Sequence, residues 1–167
     1  NTKKCSKNPY EHKDLFVVVR NPYDRVVSEY FYVVCSANPS TNKCNNVDIM
    51  NAHIAKKLKG MLTCKKGENC YFKDCNHYIP QYDYIYNTTI TTQQQQSTPE
   101  RLVQWVLHME NLQEEFADMM QKYNLNVSLP KTKTNGVPHL LTGANLSSDN
   151  IELIGTIYAR DFELLGY

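Results

Sequence analysis

The fold of this chain depends above all on a short apolar run that ends in a polar turn. Residues 15–19 are five consecutive apolar side chains, three of them valine. Such a run predicts a strand buried on both faces, as in a parallel sheet between helix layers. Arg20 ends the strand, and Pro22 suits the first turn of a helix, where the missing N–H of proline has no partner to lose.

The residues behind Pro22 predict a helix that runs to about Cys35. Apolar side chains recur there at helical spacing, at Val26, Val27, Tyr30, Phe31 and Val34. A strand, a short turn and a helix N-terminus form a natural anion site, because unpaired N–H groups and the positive end of the helix dipole face the crevice. Arg20 adds a bidentate charge there, and the hydroxyl of Ser28, eight residues on, is placed to donate to the same anion. The pattern suits a phosphate.

Residues 18–30, VVRNPYDRVVSEY, carry a resemblance to a known family. The segment resembles the 3′-phosphate-binding segment of sulfotransferases that use PAPS (3′-phosphoadenylyl sulfate), particularly the Golgi carbohydrate type. In that family the arginine and the serine eight residues later hold the 3′-phosphate. The resemblance therefore implies that Arg20 and Ser28 bind the donor PAPS. Taken singly, they would be an ordinary surface arginine and a solvated helix residue.

Residues 77–86, HYIPQYDYIY, form a second landmark. They resemble the His-x-x-Pro-Gln segment, with a following aromatic strand, that carbohydrate sulfotransferases place near the active cleft. The resemblance implies a substrate-binding role for His77 and Gln81, whose hydrogen-bonding side chains lie beside aromatic rings. The alternative is that the aromatic rings belong to the core and that His77 is a satisfied structural histidine.

Two later segments extend the resemblance along the chain. Residues 106–112, VLHMENL, resemble the family's strand followed by Glu-Asn-Leu, and residues 158–167, YARDFELLGY, resemble its closing segment. The four segments stand in family order from 16 to 167. They imply an α/β fold of the P-loop-like sulfotransferase class, a parallel sheet flanked by helices. The implied reaction moves a sulfuryl group from PAPS to a hydroxyl of a carbohydrate acceptor, with no metal.

Length and charge limit the number of domains and the kinds of partner that the chain can have. A chain of 167 residues suits one domain with a real core, so we expect a single sulfotransferase-like domain over 1–167. Its 18 Lys and Arg nearly balance 17 Asp and Glu, which argues against a nucleic-acid partner. The partner implied by the resemblance is a glycan acceptor.

The cysteines and the glycosylation sequons favour a secretory compartment. Cysteines stand at 5, 35, 44, 64, 70 and 75, without the paired CxxC spacing of a zinc ribbon. Disulfides are favoured over a metal cluster of Cys70, Cys75 and His77, and fifteen pairings are open. We expect a Cys-rich insertion at about 35–76. Sequons at Asn87, Asn126 and Asn145 predict a glycoprotein of the Golgi or another secretory lumen.

The start of the chain predicts that it is partial. No stretch reaches the ~20 apolar residues of a membrane span, and residues 1–5 are not a signal peptide. Membrane attachment would need an N-terminal anchor outside this chain. The family's upstream loop for the 5′-phosphosulfate is matched neither by residues 56–60 nor by residues 142–145. We assign no catalytic base, because His12 has the character of a solvated loop histidine.

Two other classes of function stay open at this point. The chain would be a non-catalytic nucleotide- or glycan-binding module if the phosphosulfate loop were absent from the whole protein. It would be a nucleotide-binding protein of another chemistry if it preferred ATP to PAP, the desulfated donor product.

Further elements follow from periodicity. Residues 46–63 predict a helix whose lysines form either a solvated face or the border of a glycan groove. A short helix near 98–102 and then a strand are expected, followed by a helix opened by a capping box of Asn111 and Glu114. A last helix begins at Ser148 or Asp149. The predicted apolar face of the 46–63 helix consists of Ile49, Ile54, Leu58, Met61 and Leu62.

Overall fold

The computed structural model describes residues 10–35, 43–64, 76–87, 99–130 and 140–167. In chain order its strands and α-helices are β1 (Phe16–Val19), α1 (Pro22–Tyr30), α2 (Val47–Thr63), α3 (Tyr82–Ile85), β2 (Trp105–His108), α4 (Leu112–Lys122), α5 (Ser148–Ile157) and α6 (Ala159–Leu165). A π-helical turn, Phe31–Cys35, continues α1, and short 3₁₀ turns lie at Asn76–Tyr78, Met109–Asn111 and Gly143–Asn145.

The chain divides into two compact units. The sheet unit comprises Asn1–Val19 and Asp83–Leu129, and the helical unit comprises Arg20–Tyr82 and Pro130–Tyr167. Each unit is built from two separate stretches of sequence. The single-domain assignment over 1–167 and the bounds of the Cys-rich insertion stay predictions.

In the sheet unit, β1 and β2 pair in parallel, in a register that runs from Phe16 opposite Trp105 to Val19 opposite His108. The predicted parallel sheet and the strand after residue 102 are therefore confirmed. The prediction that β1 is buried on both faces is wrong, since Phe16 is 54% and Val18 38% exposed. In the described part of the chain β1 has β2 as its partner strand and no other, and the face that carries Phe16 and Val18 is open to solvent.

In the helical unit, α1 begins at Pro22 and runs through the π-helical turn to Cys35, which confirms the predicted helix. The side-chain oxygen of Asn21 accepts the N–H of Tyr23 at 3.0 Å and caps the helix start. A disulfide joins Cys35 to Cys44. Cys64 is also disulfide-bonded. The other cysteines, at 5, 70 and 75, lie outside the described residues.

Helices α1, α2 and α5 enclose the core of the helical unit, where each large side chain buried contributes about 1.5–3 kcal/mol. The predicted helix over 46–63 is confirmed as α2, with Ile54, Leu58 and Met61 buried as expected, but its buried face differs at both ends. Met50 is fully buried, whereas Ile49 and Leu62 are exposed. The core side chains include Val26, Val27, Tyr30, Met50, Ile54, Leu58, Met61, Ile154 and Tyr158.

Three local predictions are wrong. The aromatic strand expected after Gln81 is the helical turn α3, followed by a single antiparallel bridge from Tyr86 to Arg101. Residues 99–102 form no helix, because their backbone bonds go to that bridge. Asn111 makes no side-chain capping bond, since the chain enters α4 through a 3₁₀ turn. Among the described residues, no helix has the length and apolar character to span a membrane.

Candidate functional site

Arg20, the first residue after β1, has its main chain held by one side chain. The Arg20 N–H donates to Oε1 of Gln81 at 2.9 Å, and the Arg20 carbonyl accepts from Nε2 of Gln81 at 2.9 Å. Both distances are those of good hydrogen bonds. A single amide group therefore satisfies both backbone polar groups of Arg20 and fixes the point from which its guanidinium extends.

Gln81 is itself held by a buried carboxylate. Asp161 is fully buried, and it accepts the Gln81 N–H at 2.9 Å and the Tyr82 N–H at 2.8 Å. The Nε2 of Gln81 lies 3.4 Å from Oδ2 of Asp161. Burial raises the pKa of Asp161, and the donated N–H groups together with the charge of Arg25 oppose that rise. The carboxylate also supplies the partners for the first amides of α3, which explains the helical turn.

Ser28 lies half-buried on α1. It follows Asn21 by seven residues, close to two helical turns, so it shares the face of the N-cap. The buried residues Val26 and Tyr30 project from the far side of the helix. Ser28 is thus presented on the face of α1 that starts at the residue next to Arg20.

The helix start offers fewer free amides than the sequence pattern predicted. Pro22 has no N–H, and the N–H of Tyr23 is taken by the side chain of Asn21. At most the N–H of Asp24 is left among the first three helical positions, and it lies beside that residue's own carboxylate. Any anion at this helix end would depend chiefly on the charge of Arg20.

A cleft of about 570 Å³ lies beside the start of α1. Gly143 approaches closely there, because its N–H donates to Oδ1 of Asp24 at 2.9 Å. A Cβ at this position would stand 3.0 Å from that oxygen and 3.0 Å from Cβ of Tyr23, so a side chain here would have to displace one of them slightly. The lining residues are Asn21, Tyr23, Asp24, Thr142, Gly143, Ala144 and Ile151.

His77 and Gln81, both predicted to bind substrate, lie in different environments. Gln81 is buried, whereas the side chain of His77 is 48% exposed. The Nδ1 of His77 lies 3.1 Å from Oε1 of Glu29, and its ring stacks on Tyr32 with centroids 5.7 Å apart. The carbonyl of His77 accepts from Nη2 of Arg25 at 3.1 Å. The structure brings Gln81 into contact with the main chain of Arg20.

Asp161 is the residue that sequence analysis missed. A signal was present in the spacing, because Asp161 lies three residues after Tyr158 and four before Leu165, both of them buried. A carboxylate on that helical face must be buried too, and a buried carboxylate requires hydrogen-bond donors. No group of three or more His, Cys, Asp or Glu side chains in the described ranges is arranged to hold a metal ion.

A comparison with protein-family models gives a match over residues 2–167, to the model described as the Sulfotransferase family. The matched range contains the strand, α1, Gln81 and Asp161. Searches of curated proteins and of solved structures found no match.

Proposed function

Because the chain belongs to the sulfotransferase family, we propose that it transfers a sulfuryl group from PAPS to a hydroxyl of a carbohydrate acceptor. Family membership supports sulfuryl transfer in general. The mixed α/β structure with its small parallel sheet fits a fold of this type. The PAPS donor, the glycan acceptor and the P-loop-like class are our proposal.

The observation that carries the donor assignment is the doubly bonded main chain of Arg20. A phosphate dianion is best bound by a guanidinium, which donates two parallel N–H bonds from a planar fork. Such recognition requires a defined starting point for the side chain, and the two bonds from Gln81 supply one. We assign the 3′-phosphate of the donor to Arg20 and to the hydroxyl of Ser28.

The cleft beside α1 suits the sugar or nucleoside part of a substrate. Its volume falls within the usual range of small-molecule sites. The carboxylate of Asp24 and the hydroxyl of Thr142 are groups that bind sugar hydroxyls, and the ring of Tyr23 offers an apolar surface. An acidic group in the cleft favours hydroxyls over a second phosphate. This supports separate roles, in which Arg20 binds the phosphate and the cleft binds a part of the substrate that carries hydroxyls.

A secretory location belongs to the same proposal. The disulfide between Cys35 and Cys44 is typical of an oxidising compartment such as the Golgi lumen. The sequon residues Asn87 and Asn126 are exposed, as glycosylation requires. Attachment to a membrane through an N-terminal anchor stays a prediction.

Calorimetry with PAP tests the donor site. We expect the oxidised protein to bind PAP and the variant Arg20→Ala to lose about 1.5–3 kcal/mol, as for a charged hydrogen bond. The loss corresponds to roughly a 10- to 150-fold higher Kd. Lys56→Ala removes an exposed positive charge on α2 and is the matched control, with little change expected. Equal PAP affinity of wild type and Arg20→Ala would contradict the assignment.

Radiolabelled PAPS tests the acceptor. We expect label to pass to glycan hydroxyls and not to a simple phenol, and the rate to fall in Arg20→Ala. If PAP binds but no acceptor in a broad glycan panel is labelled, the chain is a binding module, the alternative class of function. Preference for ATP over PAP would contradict the sulfuryl donor itself.

A further inference from the structure

We propose that Asp161 and Gln81 are positioning residues for Arg20, acting as a relay of hydrogen bonds that runs Asp161, Gln81, Arg20. The inference rests on the proposed function, since it gives the relay the task of aiming a donor-binding arginine. Neither Asp161 nor Gln81 touches the nucleotide in this scheme. Their effect reaches the substrate through Arg20 alone.

The relay starts at Asp161, whose fully buried carboxylate must be satisfied by the protein. Its two oxygens accept the N–H groups of Gln81 and Tyr82, at 2.9 and 2.8 Å. These bonds fix two consecutive peptide units in space. The main chain of Gln81 is therefore set by a residue 80 positions further along the chain.

The same carboxylate also selects the orientation of the Gln81 amide. The Nε2 of Gln81 has two acceptors, the Arg20 carbonyl at 2.9 Å and Oδ2 of Asp161 at 3.4 Å. A flipped amide would turn its oxygen towards both of these oxygens and its NH₂ towards the Arg20 N–H, so every contact would be repulsive. Asp161 thereby ensures that Oε1 of Gln81 meets the Arg20 N–H.

The relay ends at Arg20, where the chain leaves β1 and enters α1. Its N–H and its carbonyl are both engaged by Gln81, so the peptide units on either side of Arg20 cannot rotate freely. Anion recognition by a guanidinium fork is sensitive to small displacements, and a shift of 1 Å at a positioned group is enough to lose a large factor. The relay restricts rotation of the Arg20 main chain already in the protein without ligand.

Stability alone does not account for these polar groups. Buried apolar side chains lie close to the relay in sequence, namely Ile79 and Tyr158, and the charge of Arg25 also acts on the Asp161 carboxylate. Replacing a buried polar set by well-packed apolar side chains is often neutral or stabilising. A buried glutamine and a buried carboxylate at this point therefore indicate a requirement for geometry.

The first test measures hydrogen exchange of the Arg20 amide by NMR and needs no ligand. We expect at least tenfold faster exchange in Gln81→Met, which keeps the length and volume of the side chain, and in the isosteric Asp161→Asn. Gln104→Met is the matched control, because Gln104 also accepts a backbone N–H, that of Leu15. It should leave Arg20 unchanged. Unchanged exchange at Arg20 in folded Gln81→Met overturns the relay, and unchanged exchange in Asp161→Asn alone removes Asp161 from it.

The second test is a double-mutant cycle with PAP, with melting curves to confirm that each variant is folded. We expect Gln81→Met to raise the Kd for PAP about five- to tenfold in wild type and to have no effect in the Arg20→Ala background. Equal factors in both backgrounds would overturn the relay, because Gln81 would then act independently of Arg20. If wild type binds no PAP, the proposed function fails, and the exchange measurement still decides the relay.

Discussion

Two glutamine side chains hold backbone groups before and after β1, and they differ in burial. Gln104 accepts the N–H of Leu15 at 2.6 Å in an exposed position of the sheet unit. Gln81 engages the N–H and the carbonyl of Arg20 in the helical unit and is only 7% exposed. Water can replace the exposed first bond readily, whereas the bonds of Gln81 are part-buried and harder for water to replace. We therefore expect the same interaction to contribute more to stability at Gln81 than at Gln104.

A third side chain to backbone bond, from the N–H of Gly143 to Asp24, is 2.9 Å long and part-buried. It joins two half-buried residues, less buried than Gln81 and less exposed than Gln104. If burial determines the strength of these bonds, mutation should affect stability in the order Asp161, Gln81, Gly143, Gln104.

The largest effect is expected for Asp161→Ala. The change removes the acceptor of the buried Gln81 N–H and of the part-buried Tyr82 N–H, and an unsatisfied buried group costs about 1–3 kcal/mol. We expect a loss of about 3 kcal/mol or more in the free energy of unfolding, measured in urea. Asp149→Ala, at the exposed first turn of α5, is the control and should change little. Comparable losses in Asp161→Ala and Asp149→Ala would show that burial does not determine the contribution of these side chains to stability.

Gln81→Met should lower the free energy of unfolding by about 2 kcal/mol. It removes both bonds to Arg20 but keeps the hydrophobic volume of the side chain, so the loss reflects unsatisfied backbone groups rather than a cavity. Chemical denaturation of single and double variants with Asp161→Asn measures the coupling. Strictly additive losses would mean that the two residues are not linked.

Gly143→Ala should cost about 1 kcal/mol, because the new methyl group must displace Asp24 or Tyr23 from a 3.0 Å contact. Thermal denaturation measures the change. Gly155→Ala is the matched control, since nothing lies within 4 Å of a Cβ built there and the residue is within α5. We expect that control to stabilise the protein by up to about 1 kcal/mol. If Gly143→Ala and Gly155→Ala changed the stability in the same direction, the close contact of Gly143 with Asp24 and Tyr23 would be contradicted.

Gln104→Met should have the smallest effect, at most about 0.5 kcal/mol, because water replaces the lost acceptor at Leu15. Denaturation in urea beside Gln81→Met gives the direct comparison. A loss as large as that of Gln81→Met would show that burial is not what distinguishes the two glutamines.

Much of the fold around α1 was predictable because its signals are local. The apolar run, Arg20 and Pro22 fix a strand, a turn and a helix within one short stretch, and the structure has all three. The first buried residue of α2 was not predictable, because Ile49 and Met50 are adjacent apolar residues and periodicity alone does not choose between them. The exposure of Phe16 depends on what packs on that face of β1, and the sequence of the strand does not specify this.

The candidate site was predictable only as far as the motif reaches. Arg20 and Ser28 follow from a continuous segment, and their role as a phosphate site stays a prediction. The contact of Gln81 with the Arg20 main chain joins residues 61 positions apart, so no local pattern could reveal it. The turn α3 was missed for the same reason, since the carboxylate that satisfies its first amides is Asp161.

The long sequence separations within the relay have a consequence for biosynthesis. During synthesis Gln81 follows its partner Arg20 by 61 residues, and Asp161 follows Gln81 by another 80 residues. At ordinary rates of translation this interval is on the order of ten seconds. The bonds between Gln81 and the Arg20 backbone can form only after Gln81 has emerged, and Asp161 can hold Gln81 only after a further 80 residues. The order in which the relay forms is therefore accessible to pulse-labelling of nascent chains of increasing length.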